Sequence, residues 1–360
     1  MTWTSARPSI TGAMFAAMFA MPLAAQKTTD HQFRHSIPDP AYPAESGPIV
    51  CFDEGHENHH TAEGSYAPFV TLVRDDGYQV QPTQGPFTRE MLSGCDILVS
   101  TNPLLPVDQQ KEGQYPHDSA FTEEEINILL GWLRDGGSFL FIVDHTPWAG
   151  AAAGLMALLG IQVFDGQVHE TAVFGQIDEE ALQQAASQAG VTTGSLRQRI
   201  GEPGDLGPHP IMEGRTEDER VSSVWTFNGS ALYPSGNVKP LLTLGPDATG
   251  ITALIFNWPI EQIEGGRFLL KRPGAPPDTI PADEREELIQ LLMPTFSMGS
   301  WLHAAALPFG EGRAVVLADG AMCTAQYFGD SKIGMNAPVA AQNAQFCLNV
   351  MHWLSGVLAG

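Results

Sequence analysis

The chain has 360 residues, 43% of them hydrophobic, and a formal net charge of −23 at pH 7. That length is ample for a packed core in one large domain or two small ones. The negative charge repels nucleic acid and anionic lipid at long range, so neither is an expected partner; 37 Gly and 27 Pro against 16% charged residues predict long loops on a compact scaffold.

The first element in chain order is a targeting segment. "MTWTSARPSITGAMFAAMFAMPLAAQ" carries Arg7, an apolar run from Gly12 to Leu23, and small residues at Ala24 and Ala25. This pattern predicts a signal peptide over residues 1–25, cut near Ala25, and hence a periplasmic or secreted protein. The run is too short to span a membrane, and no later segment offers a better candidate. Residues 26–46 are polar and Pro-rich, which predicts an extended leader ahead of a single α/β domain over 47–360.

From Gly47 the pattern becomes regular. "PIVCFD" predicts a buried strand ending at Asp53, Tyr66 to Asp76 a short amphipathic helix, "YQVQP" a second strand, "FTREMLSG" a short helix, and "CDILVSTNP" a third strand ending near Thr101 and Asn102. In "FTEEEINILLGWLRDGG", Thr122 and Glu125 form a capping box, Ile126, Leu129, Leu130 and Leu133 an apolar stripe, and Gly136 the stop. The strand "SFLFIVDH" and the helix "GAAAGLMALLG" follow. Short apolar strands alternating with amphipathic helices predict a mostly parallel sheet covered on both faces.

Two stretches interrupt the alternation. Residues 165–215 are Gln-, Gly- and Ser-rich and predict an insertion with its own helix near Asp178 to Ala189; residues 260–300 predict a second, with a helix from Ala282 to Leu292. Between them "RVSSVWTF", "PLLTL" and "GITALIFNW" read as strands. Afterwards "WLHAAALPFGEGRAVVLADG" reads as a hairpin turning at Gly310 to Gly312, and "VAAQNAQFCLNVMHWLSG" as a closing helix. Export permits disulfides among Cys51, Cys95, Cys323 and Cys347, but Cys51 sits in an apolar strand and Cys347 on an apolar helix face, where buried free thiols are equally expected; all three pairings stay open.

His56-Glu57-Asn58-His59-His60 matches the His-Glu-x-x-His pattern of zinc proteases, in which both histidines sit one turn apart on a long helix. Here a strand precedes the pattern, and Gly55 and Gly64 flank it, so a loop is expected and not a protease helix. Its position carries more weight, because ligands of open parallel sheets bind where loops converge beyond the carboxyl ends of the strands. That edge should gather Asp53, His56, His59 and His60 after the first strand, Asn102 after the third, Asp144, His145 and Trp148 after the fourth, and Asp319 with Asn336 near the chain's end.

Such a set supports two chemistries. A divalent metal, Zn or Ca, held by His56, His60 and Asp144 lowers the pKa of a bound water; alternatively an Asp orients a His that serves as general base without metal. The catalytic candidates are Asp53, His145 and Asn102, and the substrate-binding candidates Trp148, Asp319 and Asn336. Covalent catalysis finds no G-x-S-x-G or G-x-C-x-G elbow, and Cys323 falls inside an expected helix.

The order "FDEGHENHHT", "DILVSTNPL", "AFTEEEINILLGWLRDGGSFLFIVDH", "ADGAMCTAQ" and "GMNAP…QNAQFCLNVMHWLSG" resembles exported proteins of the class I glutamine amidotransferase-like superfamily, near its ThuA-like and GldG-like branches. The likeness covers most of Gly47 to Gly356 outside the two insertions. It implies a flavodoxin-like three-layer α/β/α sandwich, while the amidotransferase nucleophile has no counterpart here. The expected function is an exported hydrolase of a small ester, lactone or sugar-derived substrate, a small molecule as partner. The rival is a non-catalytic module that captures carbohydrate or peptide through Asn102, Asn336 and Trp148.

Overall fold

The computed structural model describes residues 27–106, 117–168, 172–188, 190–252, 260–263, 267–270, 278–280 and 295–358. The expected signal peptide over 1–25 and the helix expected from Ala282 to Leu292 lie outside them. No helix among the described residues is long and apolar enough to cross a membrane.

A ten-stranded mixed sheet organises the chain. Five strands run parallel in the order β2 (Gln79–Thr83), β1 (Ile49–Asp53), β3 (Ile97–Thr101), β4 (Ser138–Ile142) and β9 (Gly312–Leu317). The Gly310 to Gly312 turn then reverses the chain, with Gly310 at φ 65°, a conformation that suits glycine. Accordingly β8 (Leu302–Phe309) pairs antiparallel with β9, Ala305 opposite Val316. Everything beyond β8 is antiparallel too: β6 (Leu232–Pro234) and β5 (Ile161–Val163) on one branch, and β7 (Lys239–Thr243) with Asp205–Leu206 on the other. The sheet is therefore parallel in one half only, in contrast to the mostly parallel sheet expected from sequence.

Alternate strand residues feed two cores, as the two-residue period of a strand requires. Val50, Phe52, Ile97, Val99, Leu140 and Ile142 face α1 (Ala67–Asp75) and α5 (Asn343–Leu354). Cys51, Leu98, Phe139 and Phe141 face α2 (Arg89–Ser93), α3 (Glu123–Arg134) and α4 (Trp148–Leu158) on the other side. Both sides being covered explains why these strands read as continuous apolar runs.

The stretch read as a first insertion is woven into the sheets. Gly166–Val168 pairs with Thr249–Thr252, Val173–Gly175 with Ser223–Trp225, and Asp205–Leu206 with β7. Within 260–300, three antiparallel strands at Ile260–Ile263, Arg267–Leu270 and Asp278–Ile280 form their own sheet. The leader is anchored as well: Lys27–Thr29 adds a strand to the Ala325–Phe328 and Ser331–Gly334 hairpin, and Phe33, Ile37 and Tyr42 pack on the core.

All four cysteines are paired, Cys51 with Cys95 and Cys323 with Cys347, which replaces the free-thiol expectation. Cys95 enters β3 beside β1 at a Cα separation of 5.6 Å, and Cys323 lies in a turn, not a helix, 6.0 Å from Cys347 on α5. Both separations suit a disulfide. Replacing Cys51 and Cys95 together by Ala should lower unfolding stability by about 3 kcal/mol in urea titration. An unchanged midpoint would mean that this bridge constrains nothing.

Candidate functional site at the carboxyl edge of the parallel strands

The loop after β1 is a loop throughout His56 to His60, so the protease helix is absent. What holds it is a clamp of two carboxylates on one imidazole. His56 Nδ1 lies 2.8 Å from Asp53 Oδ1, and its Nε2 lies 2.8 Å from Glu125 Oε1, with all three residues buried. Asp53 also accepts from the Gly55 backbone at 3.0 Å, Asn58 Nδ2 at 3.2 Å and Ser100 Oγ at 2.7 Å. Glu125 accepts from the Phe87 backbone N–H at 3.0 Å, and its other oxygen completes the Thr122 capping box.

Phe87 and Phe121 flank the His56 ring at 4.4 and 4.7 Å. Burial alone would depress the pKa of His56, yet the hydrogen bonds and charges of Asp53 and Glu125 outweigh it and raise the value. Glu125 shifts the opposite way: its hydrogen bonds from Thr122 and His56 overcome burial and lower it. Both shifts favour an imidazolium between carboxylates. With both ring nitrogens engaged, His56 offers no lone pair to a metal, and Asp53 is saturated by four donors, unavailable to orient any other histidine.

His60 is in a different situation. Its Nδ1 meets Ser65 Oγ at 2.5 Å, while Nε2 is buried without a hydrogen-bond partner. Burial, and then the charge of His59, lower its pKa to about 3, so it is neutral at ordinary pH. Asn102 adopts φ 46°, a left-handed conformation that Asn tolerates well. Its Oδ1 accepts the Asp144 backbone N–H at 2.8 Å, which fixes the amide orientation and leaves Nδ2 buried and unpartnered.

Asp144 Oδ1 accepts the His145 backbone N–H at 2.7 Å, and Oδ2 accepts that of Gly320 at 3.2 Å. Gly320 allows the convergence: a methyl group there would meet His60 Nε2 at 2.6 Å, Asp144 Oδ2 at 3.0 Å and Asn102 Nδ2 at 3.2 Å.

Above this trio, the Trp148 ring stands 4.7 Å from that of His59 and 5.0 Å from that of His145. His59 is exposed and forms part of this rim. His145 Nδ1 donates to the Thr146 carbonyl at 2.6 Å, leaving Nε2 as the acceptor nitrogen. The edge thus divides the expected cluster. Asp53 and His56 belong to the clamp; His60, Asn102, Asp144, His145 and Trp148 come together beside it.

Two expected substrate contacts fall elsewhere. Asp319 is fully buried and accepts the backbone N–H groups of Phe227 and Ala321 at 2.6 Å each; burial and then the nearby Asp144 charge push its pKa up to about 8. Asn336 Nδ2 donates to Asp30 at 3.1 Å, tying down the leader. Glu125, Ser65 and Gly320 shape this edge, and the sequence reading assigned them no place in it. Only Glu125 carried a signal, through its capping box.

Among the described residues no group of three or more His, Cys, Asp or Glu side chains is arranged to hold a metal ion. Two surface concavities measure about 440 and 420 Å³. One is at the opposite end of the strands around Pro48, Asp96 and Trp132, and the other lies on the His56 to His60 loop, lined by Glu54, Glu57, Asn58, Thr61 and Gln84.

No family model matches the chain, and no curated protein does. Among solved structures it is similar to the N-terminal domain of mmIFT52, 12% identical over 85% of this chain and 97% of that one, with a TM-score of 0.48. A ThuA-like protein from Bacteroides uniformis is 12% identical over 89% and 95%, with a TM-score of 0.41. A ThuA-like protein from Parabacteroides merdae is 11% identical over 88% and 92%, with a TM-score of 0.40.

The clamp makes a pH prediction. The raised pKa of His56 gives stability that is complete below its ordinary 6.5 and lost as pH rises through the folded value; the lowered pKa of Glu125 gives stability present above 4.5 and lost as pH falls through its folded value. The clamp's own contribution, read in thermal unfolding as the difference between wild type and Glu125→Ala, should therefore be greatest between about pH 4.5 and 6.5 and reach about 3 kcal/mol, since the variant leaves a buried imidazolium with one carboxylate fewer. A difference that does not change with pH would count against an ionised clamp.

Proposed function

We propose that the protein is an exported hydrolase of a small ester, lactone or sugar-derived substrate, working by side-chain acid–base chemistry at the carboxyl edge of β1, β3 and β4. The observation that carries this reading is the convergence of His60 Nε2, Asn102 Nδ2 and Asp144 Oδ2 on Gly320, two of the three being buried without partners. Buried polar atoms lacking partners are costly in a core of ordinary purpose.

In this reading His145 is the general base. Its tautomer is held by Thr146, so Nε2 can take a proton from water as the oxygen attacks the substrate carbonyl carbon. Asn102 Nδ2 donates to the carbonyl oxygen as that atom gains negative charge. The ester C–O bond then breaks, and the imidazolium returns the proton to the departing alcohol oxygen. Asp144 places the base by accepting the His145 backbone N–H. Loss of His56 from the expected metal set leaves His60 and Asp144, fewer than the three protein ligands of a catalytic zinc site, and this favours the metal-independent version.

Export is part of the proposal; the Met1 to Ala25 pattern and two disulfides support it. So is kinship with the ThuA-like branch and its flavodoxin-like sandwich, supported by the parallel half of the sheet with helices on both faces. Capture of a carbohydrate without turnover is the second reading, favoured by the polar concavity lined by Glu54, Glu57, Asn58 and Gln84 on the same loop.

Hydrolysis of chromogenic esters, lactones and glycosides, with and without chelator, separates these readings. The account expects chelator-insensitive turnover that falls at least about a hundredfold in His145→Gln. Gly320→Ala, which fills the convergence point, should abolish turnover. Full activity in both variants would overturn the assignment, and loss of activity with chelator would return a metal to the site.

A further inference from the structure

Buried side-chain atoms without partners around this edge include His60 Nε2, Asn102 Nδ2, Trp148 Nε1 and His303 Nε2, and one oxygen, Asp165 Oδ1, beside Thr146 and Gly150. The first four are nitrogens. The indole N–H can only donate, and so can the Asn102 amide, whose oxygen is committed to the Asp144 backbone. His60 Nε2 donates as well whenever Ser65 supplies the hydrogen of its bond to Nδ1. Each oxygen of Asp144, by contrast, already accepts a backbone N–H, from His145 and from Gly320. The unpartnered nitrogens of Asn102 and Trp148 therefore call for oxygen acceptors.

A cation acts electrostatically on this edge. The Lys27–Thr29 strand is docked on Ala325–Phe328, which brings the exposed Lys27 close enough for its charge to act on His59, His60 and Asp319. In a chain of net charge −23, a lysine so placed is a local exception.

We infer that the edge recognises a carboxylate: its ligand is a hydroxy acid of sugar type, with the carboxylate oxygens on Asn102 Nδ2 and Trp148 Nε1 and Lys27 as countercharge. This deepens the hydrolase reading and rests on it for the reaction, because opening a lactone ring with water yields a hydroxy acid. The same donors that face the lactone carbonyl then hold the product. Two or three donors and one lysine suit a carboxylate with its single charge better than a phosphate, whose further oxygens call for more partners.

Calorimetric titration at pH 7 with gluconate, glucose and glucose 6-phosphate tests this without requiring turnover. Gluconate should bind, glucose should not, and glucose 6-phosphate should bind more weakly than gluconate. Trp148→Phe keeps the ring and removes only the N–H, so it should weaken gluconate about tenfold. Lys27→Met should weaken it and reduce the salt dependence of binding. Equal binding of glucose, tighter binding of the phosphate, or unchanged affinity in Trp148→Phe would each overturn the inference. Failure of every hydrolysis assay together with tight gluconate binding would sink the enzyme reading and leave the carboxylate site standing.

Discussion

The carboxyl edge depends on one interaction, the imidazolium of His56 held between Asp53 and Glu125. It joins the end of β1 to the first turn of α3, 69 residues further along the chain. A loop rich in Gly, His and Asn has little apolar surface to hold it and would stay mobile on packing alone. The clamp supplies the missing constraint. From it the chain runs two residues to Asn58, which is bonded to Asp53, and on to His59, whose backbone N–H donates to the Asn102 carbonyl at 3.1 Å. His60 follows, its carbonyl accepting from Thr101 Oγ1 at 2.8 Å. The position of His60 is thus inherited from a salt bridge to which it does not belong.

The same contrast assigns roles along the edge. Side chains in the clamp have every polar atom satisfied, which is what a structural buried charge needs. Those around Gly320 have donors left over, and that is what a binding site needs before its ligand arrives. Two histidines of one short loop are therefore opposite in electrostatics: His56 is pushed toward its charged form by two carboxylates, and His60 is held neutral by burial. Chemically identical side chains take these roles because one is within reach of Glu125 and the other is not.

Much of the architecture was legible in the sequence. The Asp53 and Thr101 strand ends, the Thr122 to Glu125 capping box and the Gly310 turn follow from local pattern, and they place the loops that form the edge. The antiparallel half was not legible, because β5, β6 and Asp205–Leu206 are only two or three residues long and their pairing is set by distant partners. The cysteine pairing was hidden for the same reason, since Cys347 meets Cys323 only once α5 packs on the sheet. At the site, pattern placed Asp53, His56, His60 and His145 on loops at one edge but could not divide them, for the dividing residue, Glu125, already had a sufficient local explanation as a helix cap. Asp319 read as a loop-end carboxylate, yet its backbone partners Phe227 and Ala321 bury it.

The central claim is that the histidines of this loop are divided between a charged clamp and a neutral site. Nitrogen-15 spectra of the imidazole rings, recorded across a pH series, measure it directly. The account predicts both ring nitrogens of His56 protonated at about pH 6.5, above half occupancy because its pKa is raised, and His60 still neutral at about pH 4. A His60 ring that titrates near its ordinary 6.5, or a His56 ring already neutral at that pH, would contradict the division and remove the basis on which the site is drawn.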